Sequence, residues 1–593
     1  MFWGCAKISS PTGGPRDKTP PVITVSEPGN GATLFTGKKV VITFDEFIVL
    51  EKINDKFLVS PPMVKKPEIF TRGKNLIIEF DEDLRENTTY TFNFQDAIRD
   101  LNEGNIFDNY QFVFSTGKVI DSLSVRGNVF TAFNLEIPEN TSVLLYSNLA
   151  DSAVKKSLPD YISRVSPTGS FSINNIRSGQ YRLYALKDID NSNNYNLLQE
   201  EIGFMDTTIV VTPEENYFPV VKDTAKVKTE KAAVPDMKDA SKEITEVAAV
   251  PDSSSVRTAN TIILFKAAGT AYFLTASDRK VSYNLVFTLS LPPDTMNFGV
   301  SIIGAGPDSY FVERSRKRDT LNVWITDSAL YSQQLITAIV NHPFTDTTET
   351  VISIDDTIQM RFMTPKAPRG LVKRTPLQVS YNMQGGTLKP GQQMIMTSQT
   401  PLRDPDTSLI RIYETLDKKQ LKIPYVLIRD TTSSLRYKMN AKLITGKKYL
   451  FIADSAAFSN VYGKYSDSTG IRFTVPEASN FGKLTFNITG VKDPLIIQLL
   501  NKEEKVLAER SLKADGKIVF PLLDKGFYRL RAIFDMNGDG QWTTGDYSKR
   551  RQPEQVSFYT AEINLPIGWE MDIDWAPSIE ILKDQKLRQL KKR

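Results

Sequence analysis

The chain repeats itself over a long distance, and this repetition constrains its fold more than any other feature. Residues 169–190 and 516–537 align without a gap at an offset of 347 (169 to 516), and residues 90–114 and 449–473 align at an offset of 359 (90 to 449). Self-similarity at this spacing indicates duplicated domains rather than a short-period solenoid. Because both segments recur in the same order, the sequence predicts that a tandem of two domains was copied. The residues shared by the pairs are Gly169/Gly516, Gly179/Gly526, Tyr181/Tyr528, Arg182/Arg529, Leu183/Leu530, Ala185/Ala532, Asp188/Asp535, Tyr90/Tyr449, Ala97/Ala456, Gly104/Gly463 and Phe114/Phe473.

Apolar and polar residues alternate through much of the chain, as in half-buried strands. In residues 19–117 this alternation gives Val40, Ile42 and Phe44, and later Phe112 and Phe114, with Gly, Pro and Asn between the runs. A length of 593 residues is too great for one core. The sequence therefore predicts an all-β fold of several antiparallel sandwiches.

Two local motifs resemble known domain families. TTYTFNFQDAIRDLNEGN followed by FVFSTG resembles the end of a bacterial Ig-like domain of the surface-layer type. GSFSINNIRSGQYRLYALKD, with its Gly-x-Tyr-x-Leu-x-Ala core, resembles the small prealbumin-like sandwiches of surface-protein stalks and carboxypeptidase regulatory domains, which are spacers. The expected fold class is a tandem array of Ig-like and prealbumin-like β-sandwiches with a flexible linker. Its expected divisions are an N-terminal tether (1–18), an Ig-like sandwich (19–117), a prealbumin-like sandwich (118–221), a disordered linker (222–257), an Ig-like sandwich (258–366), a second copy of the first Ig-like sandwich (367–477), a second prealbumin-like sandwich (478–571) and a basic tail (572–593).

The linker prediction depends on composition. Residues 222–257 contain no aromatic residue and repeat Ala-Ala-Val-Pro-Asp at 232 and 248. Such a segment buries too little apolar surface to offset the entropy of ordering, so we expect a mobile or polyproline II-like linker.

The inventory of reactive side chains excludes most enzyme classes. The chain has one histidine, His342, and one cysteine, Cys5, so HExxH zinc sites and CxxC redox or zinc sites are impossible. A Ser/His/Asp triad would need His342, which precedes Pro343 in an expected turn and has no accompanying nucleophile motif. A net charge of +4 gives no reason to expect nucleic acid as a partner. We expect no enzymatic activity, although a hydrolase with paired carboxylates stays open.

A calcium-type loop follows the second YRL strand. Calcium takes six to eight oxygen ligands, which a twelve-residue loop supplies from positions 1, 3, 5, 7, 9 and 12. The spacing resembles dockerin and EF-hand loops, with Gly540 at position 6 and an aspartate in place of the usual final glutamate. The expected metal ligands are Asp535, Asn537, Asp539, the carbonyl of Gln541, Thr543 and Asp546. A plain turn is the alternative, because Asp, Asn and Gly are turn formers.

The first copy has a related but altered loop. Asp188, Asp190, Ser192, Asn193, Asn194, Asn196 and Gln199 occupy the corresponding places. The acid at position 12 and the turn glycine are missing, so this loop is expected to be weaker or empty, although Glu200 and Glu201 are near.

Cys5 lies in MFWGCAKISSPTGGPRDKTPP, where a small residue precedes the cysteine and a Ser, Pro and Gly stretch follows. This resembles the processed end of a bacterial lipoprotein and implies lipidation of Cys5 and a membrane anchor. The charged and apolar regions of a signal peptide are absent, so we expect a late start assignment or a trimmed sequence. The residues after Cys5 are Ala6, Lys7, Ile8 and Ser9, without the acidic cluster that resembles the surface-export signal of Bacteroidota lipoproteins. This comparison implies the periplasmic face of the outer membrane rather than the cell surface.

Together these features resemble the Ig-like-domain outer-membrane lipoproteins of Bacteroidota. The resemblance implies an anchored, non-enzymatic scaffold or interaction protein of the cell envelope, with envelope proteins as partners, and an accessory role in an outer-membrane assembly or export complex. The alternative is a glycan-binding surface protein that uses Trp542, Trp569 or Trp575 as an aromatic platform.

Overall fold

A computed structural model describes residues 17–197, 199–213, 260–269, 271–293, 296–346, 350–363, 375–383, 385–416 and 419–578. The chain divides into two compact units, Met1–Ala267 with Thr543–Val556, and Ala268–Trp542 with Ser557–Arg593. The regular secondary structure of the described residues is almost entirely β-strand, with only short helical turns besides, which confirms the all-β expectation. None of their helices is long and apolar enough to cross a membrane.

Domain 1, strands β1 to β10, is an antiparallel sandwich in the first unit. Its sheets have the orders β1-β2-β6-β5, β10-β7-β4 and β3-β8-β9. The alternation seen in the sequence is the burial pattern, since Val40, Ile42, Phe44, Phe112 and Phe114 are all buried. The elements are β1 (Ile23–Glu27), β2 (Lys39–Phe44), β3 (Ile48–Leu50), α1 (Ile53–Lys56), β4 (Leu58–Ser60), β5 (Glu68–Arg72), β6 (Asn75–Glu79), β7 (Thr89–Asn93), β8 (Ile98–Asp100), β9 (Ile106–Phe107) and β10 (Gln111–Ser115).

Domain 2, strands β11 to β18, follows in the same unit. Its strand order is β13-β12-β15-β16-β18-β11-β14, and β17 pairs with β15. The elements are β11 (Leu123–Thr131), β12 (Ser142–Tyr146), α2 (Ala153–Lys156), β13 (Tyr161–Arg164), β14 (Ser170–Ile176), β15 (Gly179–Lys187), β16 (Glu201–Phe204), β17 (Ile209–Val211) and β18 (Asn260–Lys266).

Strand β18 changes the expected domain boundary at 258. It lies between β11 and β16, parallel to β11 with Gly127 opposite Asn260. The predicted linker, which lies outside the described residues, is therefore an insertion between two strands of domain 2. The sequence put β18 in the next domain because the aromatic-free stretch looked like a boundary. Gly127 permits the close pairing, because a Cβ there would lie 1.9 Å from the Asn260 carbonyl oxygen and 2.7 Å from the Phe171 ring.

Residues 543–556 also belong to the first unit. The Tyr547 side chain is 5% exposed and lies against Tyr184, Tyr195 and Phe204, with ring centroids 5.5–6.0 Å away. Its hydroxyl donates to the Asp151 carbonyl at 2.6 Å. This segment therefore covers an aromatic face of domain 2.

Domain 3, strands β19 to β25, begins the second unit. Its two sheets have the orders β19-β20-β23-β22 and β21-β24-β25, as expected for an Ig-like sandwich. The elements are β19 (Leu274–Val281), β20 (Asn284–Leu289), β21 (Gly299–Ile302), β22 (Tyr310–Arg314), β23 (Thr320–Ile325), α3 (Ser328–Tyr331), β24 (Leu335–Thr345) and β25 (Val351–Arg361).

A buried arginine forms hydrogen bonds with backbone carbonyls at one end of domain 3. Arg279 is 8% exposed, and its guanidinium donates to five backbone carbonyls. Burial lowers the pKa of Arg279, and the carbonyl oxygens compensate for the water that the cation has lost. These acceptors are the carbonyls of Ser282, Tyr331, Gln333, Gln334 and Met360, at 2.9–3.4 Å.

Domain 4, strands β26 to β33, has sheets ordered β26-β27-β31-β30 and β29-β28-β32-β33. The elements are β26 (Val379–Tyr381), β27 (Met394–Ser398), β28 (Ile410–Leu416), β29 (Lys419–Lys422), β30 (Tyr425–Arg429), β31 (Arg436–Ala441), β32 (Lys447–Ala453) and β33 (Thr469–Val475).

Domain 5, strands β34 to β41, repeats the pairing of domain 2. Val125 pairs with Ile173 in β11 and β14, as Leu484 pairs with Phe520 in β34 and β37. Its last strand corresponds to β18, since β41 runs parallel to β34. The expected boundary at 571 therefore moves, because β41 continues to Trp575, which is 9% exposed in the core. The strands are β34 (Gly482–Ile488), β35 (Leu495–Leu500), β36 (Val506–Leu512), β37 (Gly516–Leu523), β38 (Gly526–Phe534), β39 (Val556–Phe558), β40 (Ile563–Leu565) and β41 (Glu570–Trp575).

Candidate metal-binding loops

The candidate loops follow the same strand in both copies. β15 and β38 end at Lys187 and Phe534, immediately before the Asp-rich sequences that begin at Asp188 and Asp535. Both strands bury their Leu and Ala residues in a sandwich core, so the first aspartate of each loop is fixed at the end of a rigid element. Loops held in this way are common positions for binding sites.

In the second unit, Asp535 closes the first half of its loop. Its Oδ1 accepts from the Asp539 N–H at 3.1 Å, and its Oδ2 accepts from the Gly540 N–H at 3.0 Å. Asn537 Oδ1 also accepts from the Asp539 N–H, at 2.9 Å. Gly538 and Gly540 have φ angles of 72° and 76°, the left-handed region that glycine enters without strain. The side chains at positions 1 and 3 thus fold the chain back on itself, as the loop prediction requires.

The predicted ligands from position 7 onward in this loop have environments different from those of the first half. The Gln541 N–H donates to Asp539 Oδ1 at 2.7 Å. Thr543 and Asp546 belong to the 543–556 segment, which groups with the first unit. Asp546 is 8% exposed, and its Oδ1 accepts from the Ser548 hydroxyl at 2.6 Å. Burial opposes its charge, but hydrogen bonds from Ser548 and Lys549 outweigh burial and lower the pKa of Asp546.

The loop of domain 2 has the same backbone pattern as Asp535–Gly540. Asp188 Oδ1 accepts from the Ser192 N–H at 3.2 Å, and Oδ2 accepts from the Asn193 N–H at 2.7 Å. Asp190 Oδ1 accepts from the Ser192 N–H at 3.0 Å. Asn191 and Asn193, with φ angles of 59° and 57°, stand where the other copy has glycines. Asparagine tolerates this region because its short polar side chain bonds locally, so the lost turn glycine did not change the loop.

Glu200 completes a carboxylate cluster in domain 2. It is fully buried, and its Oε1 accepts from the Ile189 N–H at 3.1 Å. Its Oε2 accepts from the Asn196 and Leu197 N–H groups, both at 3.1 Å. Within the described residues, one group of three carboxylates has ligand atoms all within 4.8 Å of one another, and it consists of Asp188, Asp190 and Glu200.

The pKa values of two carboxyls in this cluster are shifted in opposite directions. Burial raises the pKa of Asp188, and the neighbouring Asp190 and Glu200 carboxyls raise it further. Hydrogen bonds from Asn196 and Ser192 lower the pKa of Asp190 to about 2. Glu201, which the sequence also put near the loop, instead starts β16 and pairs with Lys187 at 3.1 Å.

Domain 5 has a glutamate equivalent to Glu200 that the sequence did not reveal. The Met205 N–H donates to the Leu183 carbonyl, and the Tyr559 N–H donates to the Leu530 carbonyl, so Met205 and Tyr559 correspond. Five residues before each lies a buried glutamate, Glu200 or Glu554. Both accept from the N–H at the ninth loop position, Asn196 or Thr543. The ungapped repeat hid Glu554, because seven more residues precede it in the second copy.

Other candidate residues have less distinctive surroundings. Cys5 lies outside the described residues. The sequence predicted a turn at His342, and this was wrong. His342 lies inside β24, where it is buried, with Nε2 2.9 Å from Asp356 Oδ2. The hairpin of β24 and β25 continues through Pro343, so the proline does not start a turn here as the sequence suggested. Of the three tryptophans, Trp575 is in a core, Trp542 is half-buried and Trp569 is 61% exposed.

Comparison with known proteins finds one family model that matches part of the chain. Native alpha-2-macroglobulin from Escherichia coli, domains MG0-NIE-MG1, is 12% identical, with 49% of this chain and 97% of that chain covered and a TM-score of 0.18. The bacterial S-layer protein rSbsC(31-844) is 10% identical, with 85% and 63% covered and a TM-score of 0.13. Likenesses this weak say nothing about function. No curated protein sequence matches the chain. The family model described as a bacterial Ig-like domain matches residues 17–116, so the chain carries a bacterial Ig-like domain there.

Proposed function

We propose that this chain is a non-enzymatic scaffold or interaction protein of a bacterial cell envelope. The observation that carries the proposal is the duplicated cassette, in which an Ig-like sandwich precedes a prealbumin-like sandwich twice. In both prealbumin-like copies the first strand, β11 or β34, pairs antiparallel with β14 or β37 and parallel with β18 or β41. Duplication of whole sandwiches adds length and surface, whereas a catalytic centre needs one set of supporting elements. The bacterial Ig-like match at residues 17–116 supports an envelope setting.

The proposal includes a lipid anchor on Cys5 in the outer membrane, with the periplasmic face favoured. Its support is the sequence around Cys5 and the Ser, Pro and Gly tether that follows. Metabolic labelling with an alkyne fatty acid, in cells that express the chain with its native leader, tests the anchor. We expect label on the wild type and none on Cys5→Ser, with Ser9→Ala as a control that keeps its label. Equal label on Cys5→Ser would refute the anchor.

We propose an accessory role in an outer-membrane assembly or export complex. Photo-crosslinking in intact cells from exposed strand positions tests it, and Val426 (62% exposed) and Phe527 (48% exposed) are suitable sites in domains 4 and 5. Recovery of the same outer-membrane protein from one of these sites would support the role. Crosslinks that never exceed those from a buried control position, such as Phe451, would contradict it.

Binding of glycans is the second candidate function. The observation that favours it is Trp569, whose ring is 61% exposed in the turn before β41. An exposed aromatic ring can stack on a sugar face, and Trp569→Ala should then abolish binding on a glycan array. Phe527→Ala removes another exposed aromatic residue of domain 5 and is the matched control. Retained binding in Trp569→Ala would exclude this platform.

We also propose a structural calcium ion in the loop from Asp535 to Asp546. The support is the spacing of oxygen-bearing residues, together with the folded turn that Asp535 and Asn537 make around Gly538 and Gly540. A bound cation would stiffen the loop and stabilise the folded domain by mass action.

A further inference from the structure

A small cavity of about 90 Å³ lies within the first unit, where domains 1 and 2 meet. Its apolar wall comes mainly from domain 1, including Phe57, Met63 and Ile69, and from Ile162 of β13. The Ile162 N–H donates to the Ser60 hydroxyl at 3.1 Å, so a buried hydrogen bond holds the two walls together. This hydrogen bond fixes the two walls of the cavity relative to each other.

The cavity is lined at one side by an arginine without a partner. Arg164 is the last residue of β13, and its guanidinium has no hydrogen bond or ion pair to any described residue. It is half-buried, and burial lowers its pKa, while Asp188 and Asp55 favour its charge from beyond ion-pair distance. Other half-buried arginines of this unit, Arg99 and Arg182, have carboxylate partners.

The remaining polar groups suit the same kind of ligand. Lys66 lines the cavity from an exposed position and has no ion pair to any residue in the described ranges. Asn191 and Asn193, from the loop of domain 2, also line it and carry amide N–H donors. Two cations and two amides beside apolar walls favour a ligand with one negative group and a short apolar body.

We propose that this cavity binds a small aliphatic carboxylate, with the carboxylate on Arg164 and the alkyl chain against Phe57, Met63 and Ile162. A guanidinium forms two parallel hydrogen bonds with a carboxylate, which gives it the partner that the fold does not supply. An apolar cavity of about 150 Å³ holds benzene, so a cavity of about 90 Å³ holds a chain of two or three carbons. Propionate fits this description.

Titration of the full chain with propionate, followed by saturation-transfer NMR, tests the site. For so small a ligand we expect a dissociation constant on the order of 1 mM. Propionamide has nearly the same shape without the charge and should bind at least tenfold more weakly. Hydrogen exchange should slow in β4 and β13 when propionate is added.

A matched pair of variants locates the site. Arg164→Met keeps the length of the side chain and should weaken propionate binding at least tenfold. Arg126→Met removes an exposed charge from β11 of the same domain and should leave binding unchanged. Equal binding of propionate and propionamide to the wild type would overturn the proposal without any variant. No saturation transfer at 20-fold above the expected constant, or full binding by a folded Arg164→Met, would also overturn it.

Discussion

Replacing the insertion of domain 2 with the short connection of domain 5 should stabilise domain 2. Val211 pairs with Gly179 as Leu565 pairs with Gly526, so β17 and β40 end at corresponding places. By register, Asn260 corresponds to Ile573. Counting back three residues in the sequence of each copy makes residue 257 the counterpart of Glu570, the first residue of β41. The variant therefore substitutes Pro566–Trp569 for residues 212–256.

The magnitude follows from the two connection lengths. For a flexible loop, each doubling of length adds about 0.6 kcal/mol to the cost of closure. The connection in domain 2 is roughly elevenfold longer, or about 3.5 doublings, so the graft should stabilise domain 2 by about 2 kcal/mol. The calculation treats the connection in domain 2 as flexible, as the composition of residues 222–257 predicts.

Hydrogen exchange with mass spectrometry measures the effect locally. Peptides that cover β11 and β18 should exchange about 30-fold more slowly in the graft, since each 1.4 kcal/mol is a factor of ten. Peptides from β34 and β41 of domain 5 should be unchanged. A control that replaces 212–256 with an equally long Gly/Ser chain should exchange like the wild type. Unchanged or faster exchange in the graft would refute the loop-entropy reasoning.

Three other substitutions test further parts of the fold. Gly127→Ala should destabilise domain 2 by about 1–3 kcal/mol in hydrogen exchange, whereas Gly470→Ala, with open space around its Cβ, should not affect its own domain. Arg279→Met should cost domain 3 at least about 3 kcal/mol, because five carbonyls lose the hydrogen bond from the guanidinium. Denaturation followed by fluorescence should show no such loss for Arg314→Met. Calcium at 100 times its dissociation constant should stabilise domain 5 by about 2.7 kcal/mol, seen as a higher melting temperature, and Asp539→Ala should abolish the rise. Identical wild-type melting curves with calcium and with chelator would exclude that site.

The sequence predicted the sandwiches well because many of the strands alternate apolar and polar residues. Phe112 and Phe114 of domain 1, and Leu484 and Phe486 of domain 5, point inward as the period of two requires. The boundary near β18 could not be predicted in this way. Strand pairing across a long insertion is non-local, and the composition around residues 222–257 gives no sign of which domain the next strand joins.

The sequence predicted the turn at the start of each loop, but it did not predict which carboxylates lie beside that turn. Asp535, Asn537 and Asp539 form the turn that their spacing suggests. The expectation that the domain 2 loop is weaker counted twelve positions and noted Glu200 only as a nearby residue. Glu200 reaches the cluster from the thirteenth position because the strand that follows, β16, fixes it there. A register set by a neighbouring strand is invisible to a motif of fixed length.

The differences between the copies lie in connections, and this bears on function. The strands of domains 2 and 5 keep most of their pairings, including β11 with β14 and β34 with β37, whereas the insertion before β18 occurs only in the first copy and the seven extra residues before Glu554 occur only in the second. Changes within the strands would disturb the close packing of a core, but loops accept insertions and carry binding surfaces. Specific interactions with partners should therefore map to the insertion before β18, because the extra residues of the second copy include Tyr547, which is already buried against the aromatic face of domain 2. Deletion of residues 212–256, followed by crosslinking in cells, tests this inference: crosslinks to a partner should be lost, and crosslinks equal to those of the wild type would contradict the reasoning.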